Sequence, residues 1–343
     1  MEEYVIIVMR ADATQDNLRT AVERVESLGI RAHISRDTEQ TIISVIGDQR
    51  LVDPQAIEAL DGVDRVVHAL HRFNLASREF HPQDRVIELP GGVRLGSSAV
   101  VMMAGPCAVE SREQLQETAE AVRAAGVRIL RAGAYKPRSS PYSFQGLGEK
   151  GLLMLREVAD DLGMAVITEV LTPEDVSLVA EHAEMLQIGT RNMANFGLLR
   201  AVGNTSRPVL LKRGWGATLE ELLLAAEYIL AEGNEQVAVC ERGIRTFETS
   251  TRFTVDINAI PALKQMSSLP VVVDPSHGTG RAELVAPVAR AGVAAGADGL
   301  LVEVHPNPSQ ALCDGGQALT PVGFSRLMKE VQRVAGAVGR EVS

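Results

Sequence analysis

From about residue 100 onward the chain repeats one beat: a short continuous apolar run, then a stretch with apolar residues at helical spacing. No other feature limits the possible folds as much. The runs read "AVVMMAG", "VRILRAG", "MAVITEV", "EMLQIG", "PVLLKRG", "QVAVCERG", "PVVVDPSHG" and "DGLLVEVHP". Apolar runs without polar alternation are strands covered on both faces, as in a parallel sheet. Between them lie amphipathic segments such as "SREQLQETAEAVRAAG" and "TLEELLLAAEYILAEG". Eight such units over about 240 residues predict a (β/α)8 barrel across residues 99–343. The rival is an open, doubly wound sheet. No G-x-G-x-x-G follows the first strand, which weakens a dinucleotide-binding version of that rival.

Residues 1–72 have a different rhythm. "YVIIVM" is a short β-branched run, and "TQDNLRTAVERVESLG" follows with Thr14 as N-cap, Leu18, Val22 and Val25 at helical spacing, and Gly29 as the stop. Then come "IRAHIS", "TIISVIG", a helix from about Pro54 to Leu60, and "VDRVVHAL". That order predicts a ferredoxin-like βαββαβ module. Residues 73–98 are a connector ending in a hairpin, "VIELPGGVRLG", which turns at Gly91-Gly92 and is placed to close the N-terminal end of the barrel.

Three cysteines, Cys107, Cys240 and Cys313, are an odd number in a long chain, which argues against a disulfide framework. No stretch approaches the ~20 apolar residues that span a bilayer. The start lacks the basic-then-apolar layout of a signal peptide, so the expectation is a soluble, cytosolic protein. A net charge of −10 disfavours nucleic acid or an anionic membrane as partner, but not small anions met by locally concentrated cations.

Such a concentration exists. In a parallel barrel chemistry gathers at the C-terminal ends of the strands, and here strand after strand finishes in a charged or ligating residue. Arg131, Lys136, Arg138, Arg191, Lys212 and Arg242 form a cationic ring suited to phosphate or carboxylate groups. Glu169, Arg213, Glu241, Asp274 and His305 sit at strand ends as well. Cys107, His277, Glu303 and Asp314 form a mixed sulfur, nitrogen and oxygen set able to hold one divalent transition metal with an open position. Mn²⁺, Fe²⁺, Zn²⁺ and Co²⁺ all suit it.

The segments "AGPCAVES", "GAYKPRSSPYSFQGLG", "IGTRN", "LLKRG", "CERGIRTFE", "DPSHGTGR" and "EVHPNPSQALCDG" resemble type I 3-deoxy-D-arabino-heptulosonate-7-phosphate (DAHP) synthase. The resemblance is to the beta subgroup, which lies close to 3-deoxy-D-manno-octulosonate-8-phosphate synthase. It runs through essentially the whole barrel, and residues 1–72 resemble the regulatory domain of one branch of that family. The resemblance implies condensation of phosphoenolpyruvate (PEP) with erythrose 4-phosphate, releasing phosphate, as the first step toward chorismate. It implies metal ligation by Cys107, His277, Glu303 and Asp314, and PEP contacts by Arg131, Lys136, Arg191, Lys212 and Arg242. It assigns erythrose 4-phosphate to Pro137, Arg138 and Ser139, with Asp314 also in reach of the sugar hydroxyls. Lys136, Cys107 and His277 are then the catalytic candidates, with Lys136 as proton donor to the new alkoxide. The family's usual threonine is serine at position 139, which keeps the hydroxyl. The octulosonate-phosphate relative typically has Lys-Ala-Asn-Arg-Ser where this chain has Lys-Pro-Arg-Ser, which favours the four-carbon sugar phosphate. The resemblance further implies a homotetramer and feedback control by an aromatic amino acid, tyrosine or phenylalanine, contacting His33 and Ser35.

Two other chemistries compete. Lys212 at a strand end suits a Schiff-base aldolase, and an inactive barrel could serve a sensor built on the small domain. Cys240 is expected in the core. Cys313 is expected to point away from the site although it neighbours Asp314. Trp215, beside "LLKRG", is placed to wall the substrate site, and Glu110 to serve the loop after Cys107 or the first turn of the helix that follows.

Overall fold

The computed structural model describes residues 4–36, 41–48, 51–69, 73–138 and 140–343. They form two compact units, Met1–Gln83 with Met266–Ser268, and Asp84–Gln265 with Leu269–Ser343.

The smaller unit runs β1 (Tyr4–Met9), α1 (Gln15–Glu26), β2 (Arg31–Arg36), β3 (Thr41–Ile46), α2 (Pro54–Glu58) and β4 (Val63–Ala69). Its antiparallel sheet has the order β2-β3-β1-β4, the ferredoxin-like arrangement. Helix α1 starts where the Thr14 hydroxyl accepts the Asn17 N–H while Asn17 Oδ1 accepts the Thr14 N–H, a reciprocal capping box. Its buried stripe, Leu18, Ala21 and Val25, lies on Val5, Ile7, Ile43 and Val45.

In the larger unit, β5 (Ile87–Leu89) and β6 (Val93–Leu95) form the expected hairpin. Gly91 and Gly92 turn it at φ of 75° and 74°, a region side chains disfavour. Eight parallel strands follow: β7 (Ala99–Gly105), β8 (Ile129–Arg131), β9 (Ala165–Glu169), β10 (Met185–Ile188), β11 (Val209–Lys212), β12 (Val237–Glu241), β13 (Val271–Val273) and β14 (Gly299–Glu303). Each pairs with the next and β14 pairs back to β7, which closes the barrel. A short β15 (Glu341–Val342) adds to the start of β7. The outer helices are α3 (Arg112–Ala124), α4 (Glu149–Asp161), α5 (Val176–His182), α6 (Phe196–Gly203), α7 (Leu219–Leu230), α8 (Ala259–Met266), α10 (Ala282–Ala294) and α11 (Pro321–Ala337); a single turn, α9 (Pro275–Thr279), follows β13. No helix among the described residues is long and apolar enough to cross a membrane.

The barrel interior is a packed column of Val101, Met103, Ile129, Ile167, Met185, Leu210, Cys240, Val272 and Leu301. Ile87, Leu89, Val93 and Leu95 of the hairpin join the same cluster, so the hairpin plugs the end opposite the strand C-termini. Cys240 is fully buried in this column, as expected.

Candidate active site

The period of two along each strand carries the core column up into the site. Two residues beyond Ile129 is Arg131; the same step leads from Ile167 to Glu169, Leu210 to Lys212, Cys240 to Arg242, Val272 to Asp274, and Leu301 to Glu303. Arg213 and Glu241, one residue out of phase, pair with each other at 2.8 Å, and Arg213 also reaches Asp256 at 3.4 Å. The phase therefore separates structural from site charges, which a list of strand-end residues cannot do.

A cavity of about 260 Å³ opens at this end. Arg131, Lys136, Arg138, Arg191, Lys212, Arg242 and Arg252 line it, against the carboxylates of Glu169 and Asp314 alone. Pro137, Gln187, Trp215 and His277 are also among its walls. A Cβ at Gly189 beside it would lie 1.9 Å from Glu169 Oε1, so a side chain there would displace the Glu169 carboxylate.

At the cavity's edge Cys107, His277, Glu303 and Asp314 converge, one ligand atom from each lying within 4.8 Å of all the others. Cys107 follows Gly105, whose φ of 154° and 2.3 Å clearance to the Arg131 carbonyl exclude any side chain. His277 sits on α9, where Asp274 caps the turn: Asp274 Oδ1 accepts the His277 backbone N–H at 2.9 Å, and Oδ2 lies 2.7 Å from Nδ1. The Nε2 atom therefore faces Glu303 Oε1, 3.2 Å away. Asp314 is the one non-glycine residue at positive φ among the described residues, 52°. Its loop is held by Glu110, whose Oε1 accepts the Leu312 N–H at 2.8 Å and whose Oε2 meets His305 Nε2 at 3.4 Å. Glu110 was expected to serve its own loop or the helix after it; its carboxylate instead holds the loop after β14. A thiol, an imidazole nitrogen and two carboxylates at these separations fit a divalent transition metal.

Buried charge here is balanced locally. Arg131 is bonded to Glu303 at 2.6 Å, and Lys212 to Asp274 at 2.5 Å. Burial raises the Glu303 pKa, but His277, Arg131 and Lys136 outweigh it and bring it down to about 2. Asp274 is likewise held well below the carboxylate range by His277 and Lys212, against burial. Burial pushes His277 down toward the neutral imidazole that a metal requires, with Asp274 and Glu303 opposing. The Cys107 thiol is pushed up by its hydrogen bond to Cys313, then by burial, with the Lys136 ammonium 3.1 Å from its Sγ acting the other way.

Sequence profiles agree with this geometry. The DAHP synthetase I family profile matches residues 82–337, and that of the DAHP synthase ferredoxin-like domain matches residues 5–71. The chain belongs to the DAHP synthetase I family. It is 51% identical over 338 residues to a phospho-2-dehydro-3-deoxyheptonate aldolase of Thermotoga maritima, covering 98% of this chain and 100% of that protein. A crystal structure of that aldolase (DAHP synthase) superposes with a TM-score of 0.80 at 50% identity, covering 99% of this chain and 100% of that one. A truncated form of the Thermotoga DAHP synthase matches 78% of this chain and 98% of its own, with a TM-score of 0.74 and 51% identity. A 2-dehydro-3-deoxyphosphooctonate aldolase of Acidithiobacillus ferrooxidans is 35% identical over 251 residues, covering 68% of this chain and 88% of that protein.

Within this DAHP synthetase fold, every residue expected at PEP lines the one cavity, as do Pro137, Arg138 and Asp314. Ser139 lies outside the described residues, and so does the side chain of Ser35. The His33 ring lies 6.0 Å from that of Phe80 in the smaller unit. Trp215 walls the cavity as anticipated. The expectation for Cys313 is wrong. Its Sγ lies 3.2 Å from Cys107 Sγ and also contacts the Arg138 guanidinium. The left-handed turn at Asp314 swings both residues toward strand β7, which residue spacing alone does not reveal. Arg252, Gln187 and Phe253 escaped the sequence reading. Arg252 lies 3.4 Å from Asp314 and donates to Gln317, which in turn donates to Glu303.

Proposed function

We propose that the chain condenses PEP with erythrose 4-phosphate and water to give DAHP and phosphate, in a metal-dependent reaction subject to feedback by an aromatic amino acid. The observation that carries this reading is the strongly cationic cavity abutting the Cys107, His277, Glu303 and Asp314 quartet. Near-full-length similarity to a heptonate aldolase supports it over the octonate relative, whose match covers 68% of the chain.

Arg131, Lys136, Arg191, Lys212 and Arg242 bind the phosphate and carboxylate of PEP and fix its C3 toward the aldehyde carbon of the second substrate. Pro137, Arg138 and Ser139 receive erythrose 4-phosphate. As the C3–C1 bond forms, Lys136 donates a proton to the new alkoxide; water adds at C2 and phosphate departs. Lys136 carries the proton for that step, since against burial and the nearby Arg131 the groups Cys107, Cys313 and Glu169 raise its pKa and keep the ammonium protonated. Cys107, His277, Glu303 and Asp314 would hold a divalent ion, which would supply Lewis acidity to the condensation. Paired with Asp274 at 2.5 Å, Lys212 is a charged anion ligand rather than a Schiff-base nucleophile.

The test is phosphate release from PEP plus erythrose 4-phosphate after chelation and after add-back of Mn²⁺, Fe²⁺, Zn²⁺ or Co²⁺, beside arabinose 5-phosphate as competing acceptor. Release restored by metal and confined to the four-carbon sugar is expected; preference for the five-carbon sugar sinks the assignment. For regulation, tyrosine or phenylalanine binds the ferredoxin-like unit near His33 and Ser35 within a homotetramer. Removing residues 1–72 leaves turnover and abolishes inhibition. Inhibition that survives the truncation overturns this part.

A further inference from the structure

The cations around the cavity are held in two different ways. Arg131 and Lys212 are tied to carboxylates, Glu303 and Asp274. Arg242 is not: its guanidinium carbon lies 4.1 Å over the ring of Phe253, and it makes no ion pair among the described residues. Arg252 rests on the same ring at 5.8 Å. Arg191, after β10, and Arg245, after β12, each lie 5.1 Å over the ring of Trp215. Neither ring is loosely placed. Phe253 is 8% exposed, and its backbone N–H donates to the Gly278 carbonyl at 3.0 Å. Trp215 is fixed where three strand-end loops meet. Its carbonyl accepts the Arg245 N–H at 2.6 Å, and the Gly214 N–H next to it reaches Met193 Sδ at 3.0 Å.

The distinction matters because of what each partner leaves for a ligand. A carboxylate occupies the N–H edge of a guanidinium and cancels its charge, so an incoming phosphate must compete with it. An aromatic face attracts the flat side of the cation, fixes its direction and leaves the in-plane donors and the full charge available. Burial lowers the Arg242 pKa, as expected for a guanidinium without a paired carboxylate. We propose that Phe253 and Trp215 are positioning residues, aromatic rests that aim Arg242 and Arg191 at the anionic substrate. This rests on reading the cavity as the PEP site.

The test uses the metal-loaded full chain. Phe253→Leu and Trp215→Leu remove the ring and keep apolar bulk; Trp215→Phe and Phe253→Tyr keep an aromatic face. Each Leu variant should raise KM for PEP, and Kd for inorganic phosphate by calorimetry, about five- to tenfold while kcat stays within about twofold. The aromatic variants should stay within about twofold of wild type in both. Unchanged KM and phosphate affinity in the Leu variants overturns the proposal. So does a loss confined to kcat, or a Trp215→Phe defect equal to that of Trp215→Leu. If Phe253→Leu does not fold, the partly exposed Trp215 pair decides. If the wild type fails to turn over PEP, the proposed function fails, while the phosphate titrations still decide the role of the rings.

Discussion

Asp274 offers the sharpest test of how the candidate metal quartet is organised. It is fully buried and accepts from Lys212 Nζ at 2.5 Å, from the His277 backbone N–H at 2.9 Å, and lies 2.7 Å from His277 Nδ1. Asp274→Asn keeps the volume and can keep the cap on the His277 N–H, but it removes the charge. Lys212, 4% exposed, is then a buried cation without its counter-charge. Breaking such a pair costs about 3–5 kcal/mol, and the retained cap argues for the lower end, about 3 kcal/mol. For a unit of this size that lowers Tm by roughly 6–12 °C. Separately, an asparagine can present its amide N–H to Nδ1, which drives the imidazole proton onto Nε2, the nitrogen facing Glu303. Loss of such an outer partner weakens a metal site by about 10–100-fold. Co²⁺ titration, followed by the sulfur-to-metal charge-transfer absorption, reads the second effect, and thermal melts of the metal-free protein read the first. Wild-type Co²⁺ affinity together with a Tm shift under about 2 °C would refute the assignment of Asp274 as the common anchor of Lys212 and His277.

Cys107→Ala should abolish the charge-transfer absorption and reduce turnover by more than about 100-fold with the fold retained by circular dichroism; a fully active variant rules out thiolate ligation. Borohydride added with substrate should leave Lys212 unmodified by mass spectrometry, since its ammonium is paired with Asp274. Glu303→Gln should show a pH-dependent deficit in the metal-free protein. The Glu303 pKa falls from 4.5 to about 2 on folding, so its stabilising contribution is complete above about pH 4.5 and lost as pH falls toward 2. The gap in Tm between wild type and variant should therefore narrow on acidification across that window, and a constant gap counts against a charged, paired Glu303.

The barrel was legible because its signal is local and repeated. Most strands are runs such as "VVMMA" or "VAVC" with little polar interruption, Gln187 in β10 being an exception, and a sheet covered on both faces calls for that. Three of the quartet were legible because Cys107, His277 and Glu303 end or closely follow a strand, and strand ends share one face of a barrel, whereas Asp314 lies far along the loop after β14. What stayed hidden depends on loops that cross between strands. Arg252, Phe253 and Cys313 lie far along their loops, where no period fixes direction. The inward turn of Cys313 follows from the left-handed Asp314 and from Glu110 gripping the Leu312 N–H across 202 positions of sequence. The hydrophobic alternation did contain one distinction that the sequence reading left unused: Lys212 and Arg242 continue the inward column, whereas Arg213 and Glu241 are one step out of phase and pair behind it.

That phase rule bears on how a chain with a net charge of −10 presents a site for anions. Burying a cation beside a carboxylate meets its desolvation cost but neutralises it toward a ligand. Arg131 and Lys212 are held this way, and their partners Glu303 and Asp274 also belong to, or support, the metal quartet. These two cations thus couple the anion cavity to the quartet, and a change at either carboxylate is felt in both places. Arg242 lies over the Phe253 ring and makes no ion pair among the described residues, which leaves its charge directed at the cavity, while Arg191 rests on the Trp215 ring. The division predicts different responses to ionic strength. Substitutions at the aromatic rests should weaken anion binding more at high salt than at low, because the remaining attraction is long-range and screened. Substitutions at Glu303 or Asp274 act through contacts sealed from solvent, and their effects should be nearly independent of salt.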